Sequence, residues 1–116
     1  MQRKYRLKSP IEFKRVRREG KSYAHPLIVL IAQPNQLDYT RIGVAASRAV
    51  GNAVQRNRAK RRLRETARML LPGLPVGWDL ILLARRDLNQ ANFSALQTAL
   101  HTLLQRAGLN ERTYAK

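Results

Sequence analysis

The stretch RIGVAASRAVGNAVQRNRAKRRLRE, residues 41–65, changes from a strand pattern to a helix pattern along its length. Residues 41–47 are apolar and partly β-branched, which predicts a short strand. A turn is predicted at residues 50–52, and a long helix from about residue 52 to residue 71, where the sequence PGLP at 72–75 ends it. The stretch therefore predicts a strand that leads through a turn into a basic helix.

The sequence before this stretch carries the start and stop signals of another helix. Ser9 is a helix-capping residue, and Pro10 suits the first helical position. Glu12 completes a Ser-x-x-Glu capping box. Gly20 is the natural residue after the helix, because it accepts the left-handed conformation. We therefore predict a helix over about residues 9–19.

Further strands are predicted on both sides of the opening stretch. Residues 27–32, LIVLIA, form a short apolar and β-branched run that ends at a turn over residues 34–36. The strand at 41–47 is predicted to run antiparallel to it. A small additional strand is predicted around residues 22–23, and a final strand over residues 78–85, WDLILLAR.

The end of the chain contains a third amphipathic segment. After a loop over residues 87–92, a helix is predicted at 93–107, with Asn92 or Ser94 as its cap and Gly108 as its stop. One stripe of this helix is apolar: Leu96, Leu100, Leu103 and Leu104. The tail at 112–116 is predicted to be mobile. The whole chain, residues 1–116, is predicted to form one domain with the order α-β-β-β-α-β-α.

The composition excludes several classes of protein. The 116 residues include no cysteine, so disulfides and thiolate metal sites are absent. No segment approaches the roughly 20 apolar residues of a membrane span, and the basic N-terminus lacks the apolar region of a signal peptide. The sequence therefore predicts a cytoplasmic protein that does not enter membranes.

The charge indicates the kind of partner. There are 23 Lys and Arg residues against 7 Asp and Glu, a formal net charge of +16. Such self-repulsion disfavours a compact state unless a polyanion neutralises it. A nucleic acid backbone is the commonest such partner. An anionic membrane prefers a basic helix with a bulky apolar face, so the composition favours nucleic acid.

The helix predicted at 52–71 has two distinct faces. Between residues 56 and 68 there are seven basic residues and one acid. Five polar residues follow the spacing of one helical face: Asn57, Lys60, Arg61, Arg64 and Arg68. Four apolar residues form a separate stripe: Ala59, Leu63, Ala67 and Leu70. Because like charges at i, i+4 repel, so many cations on one helix favour contact with RNA or DNA over an ordinary solvated face.

No arrangement of side chains suggests a catalytic protein. The seven acids are scattered, without a paired carboxylate motif: Glu12, Glu19, Asp38, Glu65, Asp79, Asp87 and Glu111. Glu12 already has a capping role. His25 and His101 lack a partner motif, and neither a phosphate-binding loop nor a nucleophile elbow is present. We therefore predict no catalytic residue and no metal held by the protein.

The sequence of residues 41–65 resembles the signature of bacterial ribonuclease P proteins. Its kernel is Arg56-Asn57-Arg58, followed by Lys60, Arg61 and Arg64, and the preceding Gly51-Asn52-Ala53-Val54 also matches. About twenty-five consecutive positions keep the family's offsets. The resemblance extends along the chain, since Arg6-Leu7, Phe13 and Gly20 fall where the family has them.

The resemblance implies an α/β (α+β) fold, with one mixed sheet and helices packed on it. The implied fold is of the ribosomal-protein-S5-domain-2-like type. The Arg-Asn-Arg helix would join two parallel strands through a left-handed βαβ crossover, whereas the general rule for such units is a right-handed connection.

The resemblance also implies a function. The chain would be the protein subunit of ribonuclease P, and would assist an RNA that removes the 5′ leader of precursor tRNA. Mg²⁺ is expected at the RNA active site, with no cofactor on the protein. The residues that would bind the catalytic RNA are Arg48, Asn52, Arg56, Asn57, Arg58, Lys60, Arg61, Arg64 and Arg68.

A cleft between the first helix and the sheet would hold the single-stranded leader. The family's cleft aromatics fall at Phe13, Arg17 and Ile31, of which only Phe13 is aromatic here. Phe13 is either a stacking platform or a core residue, Arg17 would stack or bind phosphate, and Ile31 would offer apolar contact. Arg6 and Lys8 complete the predicted leader site.

Two other functions compete with this interpretation. A structural ribosomal protein would share the size, the basicity and the fold type, and would bind ribosomal RNA. A DNA-binding module is the third alternative, although the sequence lacks a helix-turn-helix pattern and zinc ligands. If the resemblance holds, the chain is expected to bind the RNA subunit in a 1:1 complex.

Overall fold

Four strands form one mixed sheet in the computed structural model, which describes residues 3–109. The tail predicted at 112–116 lies outside the described residues. The strands are β1 (Lys21–Ala24), β2 (Ile28–Pro34), β3 (Arg41–Ala46) and β4 (Trp78–Ala84). The helices are α1 (Pro10–Glu19), α2 (Ala53–Leu70) and α3 (Phe93–Arg106). Each predicted element is present, with ends that differ by one or two residues.

The order of the strands in the sheet is β1-β2-β4-β3. β2 pairs antiparallel with β1 and with β4, and β3 pairs parallel with β4. β3 runs antiparallel to β2, as predicted, but β4 lies between them. β4 is apolar on both faces, which suits a strand whose two faces are both covered. The parallel unit β3–α2–β4 is the one that the resemblance implies; its left-handed sense stays a prediction.

The sheet is covered on both faces by separate apolar clusters. One face packs against α2 and α3, and its strand residues alternate with those of the other face, as in any pleated strand. The first face carries Ile28, Leu30, Ala32, Ile42, Leu80, Leu82 and Ala84. The second, smaller cluster lies beneath α1 and contains Leu7, Val16, Ile31 and Ile81.

The ends of α1 differ from the prediction in two ways. The Ser9 hydroxyl accepts the N–H of Glu12 at 3.5 Å, but Glu12 does not complete a capping box; its carboxylate accepts from Arg41 at 3.0 and 3.2 Å. A guanidinium is a stronger partner for a carboxylate than a neutral N–H. Gly20 is not left-handed, since its φ is −76°. A side chain there would place Cβ 2.8 Å from Ile31 Cγ2, so glycine permits close contact between α1 and β2.

The start of α2 is capped more completely than predicted. Asn52 Oδ1 accepts the N–H of Gln55 at 2.9 Å, and the N–H of Asn52 donates to Gln55 Oε1 at 2.8 Å. This is a reciprocal capping box, and the Asn-x-x-Gln sequence was its signal. At the start of α3, Asn92 is the cap of the two candidates, because its Oδ1 accepts from the N–H of Ala95 at 2.8 Å.

Gly51 is required by this cap, and its replacement by alanine should destabilise the protein. Its φ is +142°, and a Cβ would lie 1.8 Å from Gln55 Oε1. We expect Gly51→Ala to lower the free energy of unfolding by about 1–3 kcal/mol, measured by urea denaturation. Gly73→Ala is the matched control, since a Cβ at Gly73 meets nothing within 4 Å. Equal stability of the two variants would contradict this account.

Candidate nucleic-acid interface

The α2 helix separates its apolar and cationic faces as its spacing predicts. Ala59, Leu63 and Ala67 are buried against the sheet, and Leu70 is half-buried. Thr66, which lies beside this stripe, is buried as well, and its hydroxyl donates to the carbonyl of Arg62. The exposed side chains on the other face are Asn57, Arg61 and Arg68, and the half-buried ones are Lys60 and Arg64.

Three of the seven cations in α2 are engaged within the protein. Arg62 donates to the backbone carbonyls of Leu88, at 3.1 Å, and Ala91. Arg56 donates to the carbonyl of Gly51 at 2.8 Å, and Arg68 pairs with Glu65. Arg62, which was not among the predicted RNA-binding residues, thus joins α2 to the segment after β4.

The other four cations of α2 have no hydrogen-bond partner within residues 3–109. They are Arg58, Lys60, Arg61 and Arg64. Arg48, just before α2, and Asn52, at its cap, are exposed at the same end. Burial and then the charge of Arg58 lower the pKa of Arg62 from its ordinary value. Arginine nevertheless stays protonated at neutral pH, so the face keeps its positive charge.

Arg64 faces a cavity of about 270 Å³ at the edge strand β3. The N-terminal segment forms the opposite side of this cavity: Arg6 bridges to Ile42, and the N–H of Leu7 donates to the Ile42 carbonyl at 2.9 Å. The cavity, here named the Arg6 pocket, is lined by Arg6, Leu7, Lys8, Phe13, Ile42, Gly43, Val44 and Arg64. It therefore unites three residues of the predicted leader site with one of the predicted catalytic-RNA site.

The Arg6 pocket has the properties of an anion site. Arg6 Nε is buried and has no hydrogen-bond partner among the described residues. Burial, and then the charge of Arg6, lower the pKa of the Arg64 guanidinium, which indicates that two like charges face each other. Buried polar groups are normally hydrogen-bonded, and an anion between these guanidinium groups would satisfy Arg6 Nε and offset the repulsion.

Phe13 forms an apolar side of the same pocket. Its ring is half-buried and lies so close to β3 that a Cβ at Gly43 would be 2.8 Å from Phe13 Cε2. Gly43 is thus a position where the absence of a side chain makes room for the ring. An aromatic ring beside three cations suits a single-stranded nucleotide, which offers a phosphate and a base together.

The other two positions of the predicted leader cleft lie apart from this pocket. Arg17 is exposed on α1, one turn beyond Phe13. Ile31 is only 6% exposed and packs beneath α1 with Val16 and Ile81. Its alternation with Leu30 on β2 places it on the α1 face of the sheet, but the helix covers it.

A second open cavity, which the sequence did not indicate, lies on the α1 face beyond the helix. It measures about 460 Å³, and half-buried Val29 and Leu83 form its apolar floor. Arg85 and Arg86 line it as well, together with Ser47 and one acid, Asp87. We name it the Arg85 cavity. The pair of arginines that follows the last strand was the signal for it, but only the sheet order brings them beside Val29.

An ionic network joins α1 to the sheet, and no local pattern predicted it. Asp79 is fully buried; its carboxylate accepts from Arg41 at 2.8 and 2.9 Å, from Arg15 at 2.9 Å and from Asn35 at 2.8 Å. Glu12 accepts from the far side of Arg41. Asp79 therefore has a structural role, and its two arginine partners, Arg41 and Arg15, lie 38 and 64 positions away in sequence.

The charges of this network reinforce each other. Burial opposes ionisation of Asp79, but the hydrogen bonds from Arg41 and Asn35 and the charge of Arg41 outweigh it, so the pKa of Asp79 lies below its ordinary 3.8. The hydrogen bond to Asp79 raises the pKa of Arg41, despite burial. The network fixes α1 to the sheet through Glu12. The next residue, Phe13, lines the Arg6 pocket, so the network also positions that ring.

Neither a metal cluster nor a membrane-spanning helix is found within residues 3–109. No three histidine or acidic side chains come together there in a way that would hold a metal ion. None of the helices in this part of the chain is long and apolar enough to cross a membrane.

The fold and the cationic face define a small basic α+β domain with an arginine-rich helix between two parallel strands. The family model Ribonuclease P matches residues 1–108. The chain belongs to the family of bacterial ribonuclease P proteins. Membership makes it a component of ribonuclease P, a hydrolase with an RNA subunit as its partner, and decides against the ribosomal and DNA-binding alternatives.

Individual relatives agree along nearly the whole chain. The ribonuclease P protein component of Chloroflexus aurantiacus is 44% identical over 110 residues, which cover 94% of this chain and 82% of the relative. That of Herpetosiphon aurantiacus is 40% identical over 109 residues, with coverage of 94% and 89%.

Solved structures show the same fold. The RNase P protein of Staphylococcus aureus is 30% identical, with a TM-score of 0.81 and coverage of 92% of this chain and 98% of the other. The RNase P protein of Thermotoga maritima is also 30% identical, with a TM-score of 0.78 and coverage of 87% and 96%.

Proposed function

We propose that this protein binds the catalytic RNA of ribonuclease P through α2 and the 5′ leader of precursor tRNA beside α1. It thereby assists RNA-catalysed, Mg²⁺-dependent removal of the leader. The observation that supports this proposal is the Arg6 pocket, where the two cationic surfaces meet around a buried guanidinium nitrogen that has no partner among residues 3–109.

The catalytic RNA would contact the exposed side of α2 and its N-terminal turn. The cations there without internal partners can each neutralise a phosphate and release a counterion, which is the main source of affinity for a nucleic acid backbone. Exposed Asn57 adds a donor and an acceptor. The proposed residues are Arg48, Asn52, Arg56, Asn57, Arg58, Lys60, Arg61, Arg64 and Arg68. Two of them, Arg56 and Arg68, also have a partner within the protein, but a guanidinium has five N–H donors and keeps others for a phosphate.

The leader would enter at the Arg6 pocket and continue over the α1 face of the sheet. Phe13 would stack on a base while Arg6 and Lys8 hold the adjoining phosphates. Beyond α1, the apolar floor of the Arg85 cavity would support further nucleotides, with Arg85 and Arg86 as phosphate partners. Arg17 would act at the rim, whereas Ile31 lies on the same face of the sheet as Val29, is covered by α1 and would not contact the bases.

The chemistry would belong to the RNA. Several acids are already paired with arginines: Asp79 and Glu12 with Arg41, Glu19 with Arg18, and Glu65 with Arg68. Such carboxylates are poor ligands for a catalytic cation, so Mg²⁺ would be held at the RNA active site and no protein side chain would be catalytic. A 1:1 complex with the RNA, in the cytoplasm, completes the proposal.

Cleavage of precursor tRNA by the RNA subunit at low magnesium tests the proposal. We expect the protein to restore cleavage at the mature 5′ end, because its cations replace counterions that Mg²⁺ otherwise supplies. A substrate with a one-nucleotide leader is the matched control, and should gain less from the protein than one with a long leader. Tight RNA binding without any stimulation of cleavage would refute the proposed role.

A further inference from the structure

Another cavity, distinct from both the Arg6 pocket and the Arg85 cavity, lies along the β3 edge next to the Arg6 pocket. It measures about 310 Å³, within the size range of about 300–1,000 Å³ that is typical of ligand sites. Its lining combines aromatic, acidic and apolar groups: Tyr5, Asp38, Tyr39, Thr40, Leu71, Pro72, Leu74, Pro75 and Val76. We name it the Tyr39 pocket.

Two aromatic rings line this pocket. Tyr5 and Tyr39 form an edge-to-face pair, with ring centroids 5.9 Å apart and planes at 75°. Lys4 Nζ lies 5.1 Å from both ring centroids. Both rings are half-buried, and neither phenol hydroxyl has a hydrogen-bond partner within residues 3–109. Lys4 is exposed and flexible, so it can leave the rings for a phosphate while a base takes its place.

The acid in this pocket is unusual for its surroundings. Asp38 is exposed and forms no ion pair within the described part of the chain, although the protein carries a net charge of +16. A carboxylate accepts two parallel hydrogen bonds, and guanine presents two adjacent donors, N1–H and N2–H, on its Watson–Crick edge. Adenine presents one donor beside an acceptor, which a carboxylate repels. RNA-binding proteins commonly read unpaired bases by stacking together with such edge contacts.

The position of the pocket places it beside the proposed RNA path. Tyr5 precedes Arg6 in the chain, and Tyr39 and Thr40 lead into β3, whose next residues line the Arg6 pocket. Arg68 lies one helical turn before Leu71. A strand of RNA whose phosphate occupies the Arg6 pocket can therefore direct a neighbouring base towards Tyr39.

We propose that the Tyr39 pocket binds an unpaired guanine of RNA, stacked on the tyrosine rings and read by Asp38. This inference rests on the proposed RNA-binding function and adds a base-specific site to it. Tyr5 and Tyr39 supply the stacking surface, Asp38 selects guanine, and Lys4 neutralises the phosphate of the same nucleotide.

Short labelled RNAs test the inference by fluorescence anisotropy at physiological salt. We expect UUGUU to bind the full-length protein about tenfold more tightly than UUAUU, the discrimination of one good bidentate base contact. Asp38→Asn should abolish this preference and leave UUAUU binding unchanged or slightly stronger. Glu19→Gln is the matched control, because it removes one exposed negative charge on α1 and should keep the preference.

Stacking has its own variants. Tyr39→Leu should weaken UUGUU about tenfold, as loss of a stacked base does, whereas Tyr39→Phe should retain the affinity. Equal binding of UUGUU and UUAUU to the unaltered protein would overturn the inference, and is the result expected if the pocket accepts a protein partner instead. A preference for UUGUU that survives Asp38→Asn would overturn it as well. If the guanine preference is absent but the protein still restores precursor tRNA cleavage, only the proposed guanine site has failed. If a guanine preference is present without stimulation of cleavage, the proposed function has failed instead.

Discussion

Replacing Asp79 with asparagine should lower the free energy of unfolding by about 3 kcal/mol, because it removes the negative charge and one of the two acceptor oxygens at the centre of a buried ion-pair network. Asp79 is fully buried and receives four hydrogen bonds from three side chains. Its loss leaves Arg15 without its carboxylate partner and Arg41 with Glu12 alone. Urea denaturation at neutral pH measures the change.

The control for this variant is Asp38→Asn, which removes an exposed acid that has no ion pair within the described residues and should change stability by no more than about 0.5 kcal/mol. A loss below about 1 kcal/mol in Asp79→Asn would mean that the network contributes little. Because α1 is held through Glu12 and Arg15, the variant should also loosen Phe13, which hydrogen exchange of the α1 amides would detect.

The same network sets a pH dependence. The folded-state pKa of Asp79 is lowered, so its contribution is fully present above the unfolded-state value of about 3.9 and is lost as the pH falls through the folded value. The unaltered protein should therefore lose stability more steeply than Asp79→Asn below about pH 4. Parallel stability curves for the two proteins in that range would contradict the assigned pKa direction.

Reversing two charges on α2, Arg61→Glu with Arg64→Glu, should weaken binding of the ribonuclease P RNA about 100-fold at physiological salt. Neither side chain has a hydrogen-bond partner within residues 3–109, so both are available for phosphates. The slope of log affinity against log salt should decrease by about 1.4–1.8, because each phosphate contact contributes about 0.7–0.9. Filter binding over a range of salt concentrations measures both quantities.

The matched control reverses two cations away from α2, Lys14→Glu on α1 with Lys21→Glu on β1, and so changes the net charge equally. Both residues are exposed. If net charge alone governed affinity, the two double variants would bind equally weakly. A selective loss with the α2 variant assigns the contact to that face, and its circular dichroism should match that of the unaltered protein, since no internal partner is removed.

Local chemistry explains how much of the fold the sequence predicted. The period of α2, its capping residues and the turn at Gly51 involve neighbours within a few positions, so they are readable along the chain. The apolar stripe of Ala59, Leu63 and Ala67 was correct for the same reason. The two errors at α1 both have a cause distant in sequence. Arg41 binds the Glu12 carboxylate that a local motif assigned to a cap, and Gly20 serves close contact with Ile31 rather than a left-handed turn.

Likewise, only the part of the candidate site that depends on residues close in sequence could be predicted. The charge of α2 and the family signature were enough to predict a catalytic-RNA face from residues 41–65 alone, and that face stays a prediction. The Arg6 pocket required the N-terminal segment to lie along β3 beside Arg64, which no spacing encodes. The cover that α1 places on Ile31, and the floor formed by Val29 and Leu83, likewise depend on which strands are neighbours.

The sequence by itself determined that this protein is a small basic α+β domain of the ribonuclease P family, because helix period, caps, net charge and a long motif are all properties of the linear chain. Only the tertiary structure decided which charges are free to bind RNA and which are used internally. Arg41 and Arg62 are engaged within the protein, whereas Arg61 and Arg64 have no hydrogen-bond partner in the part of the chain that the structure describes. The physical reason is that a charge finds its partner by distance in space, and the sheet order β1-β2-β4-β3 brings residues many positions apart into contact.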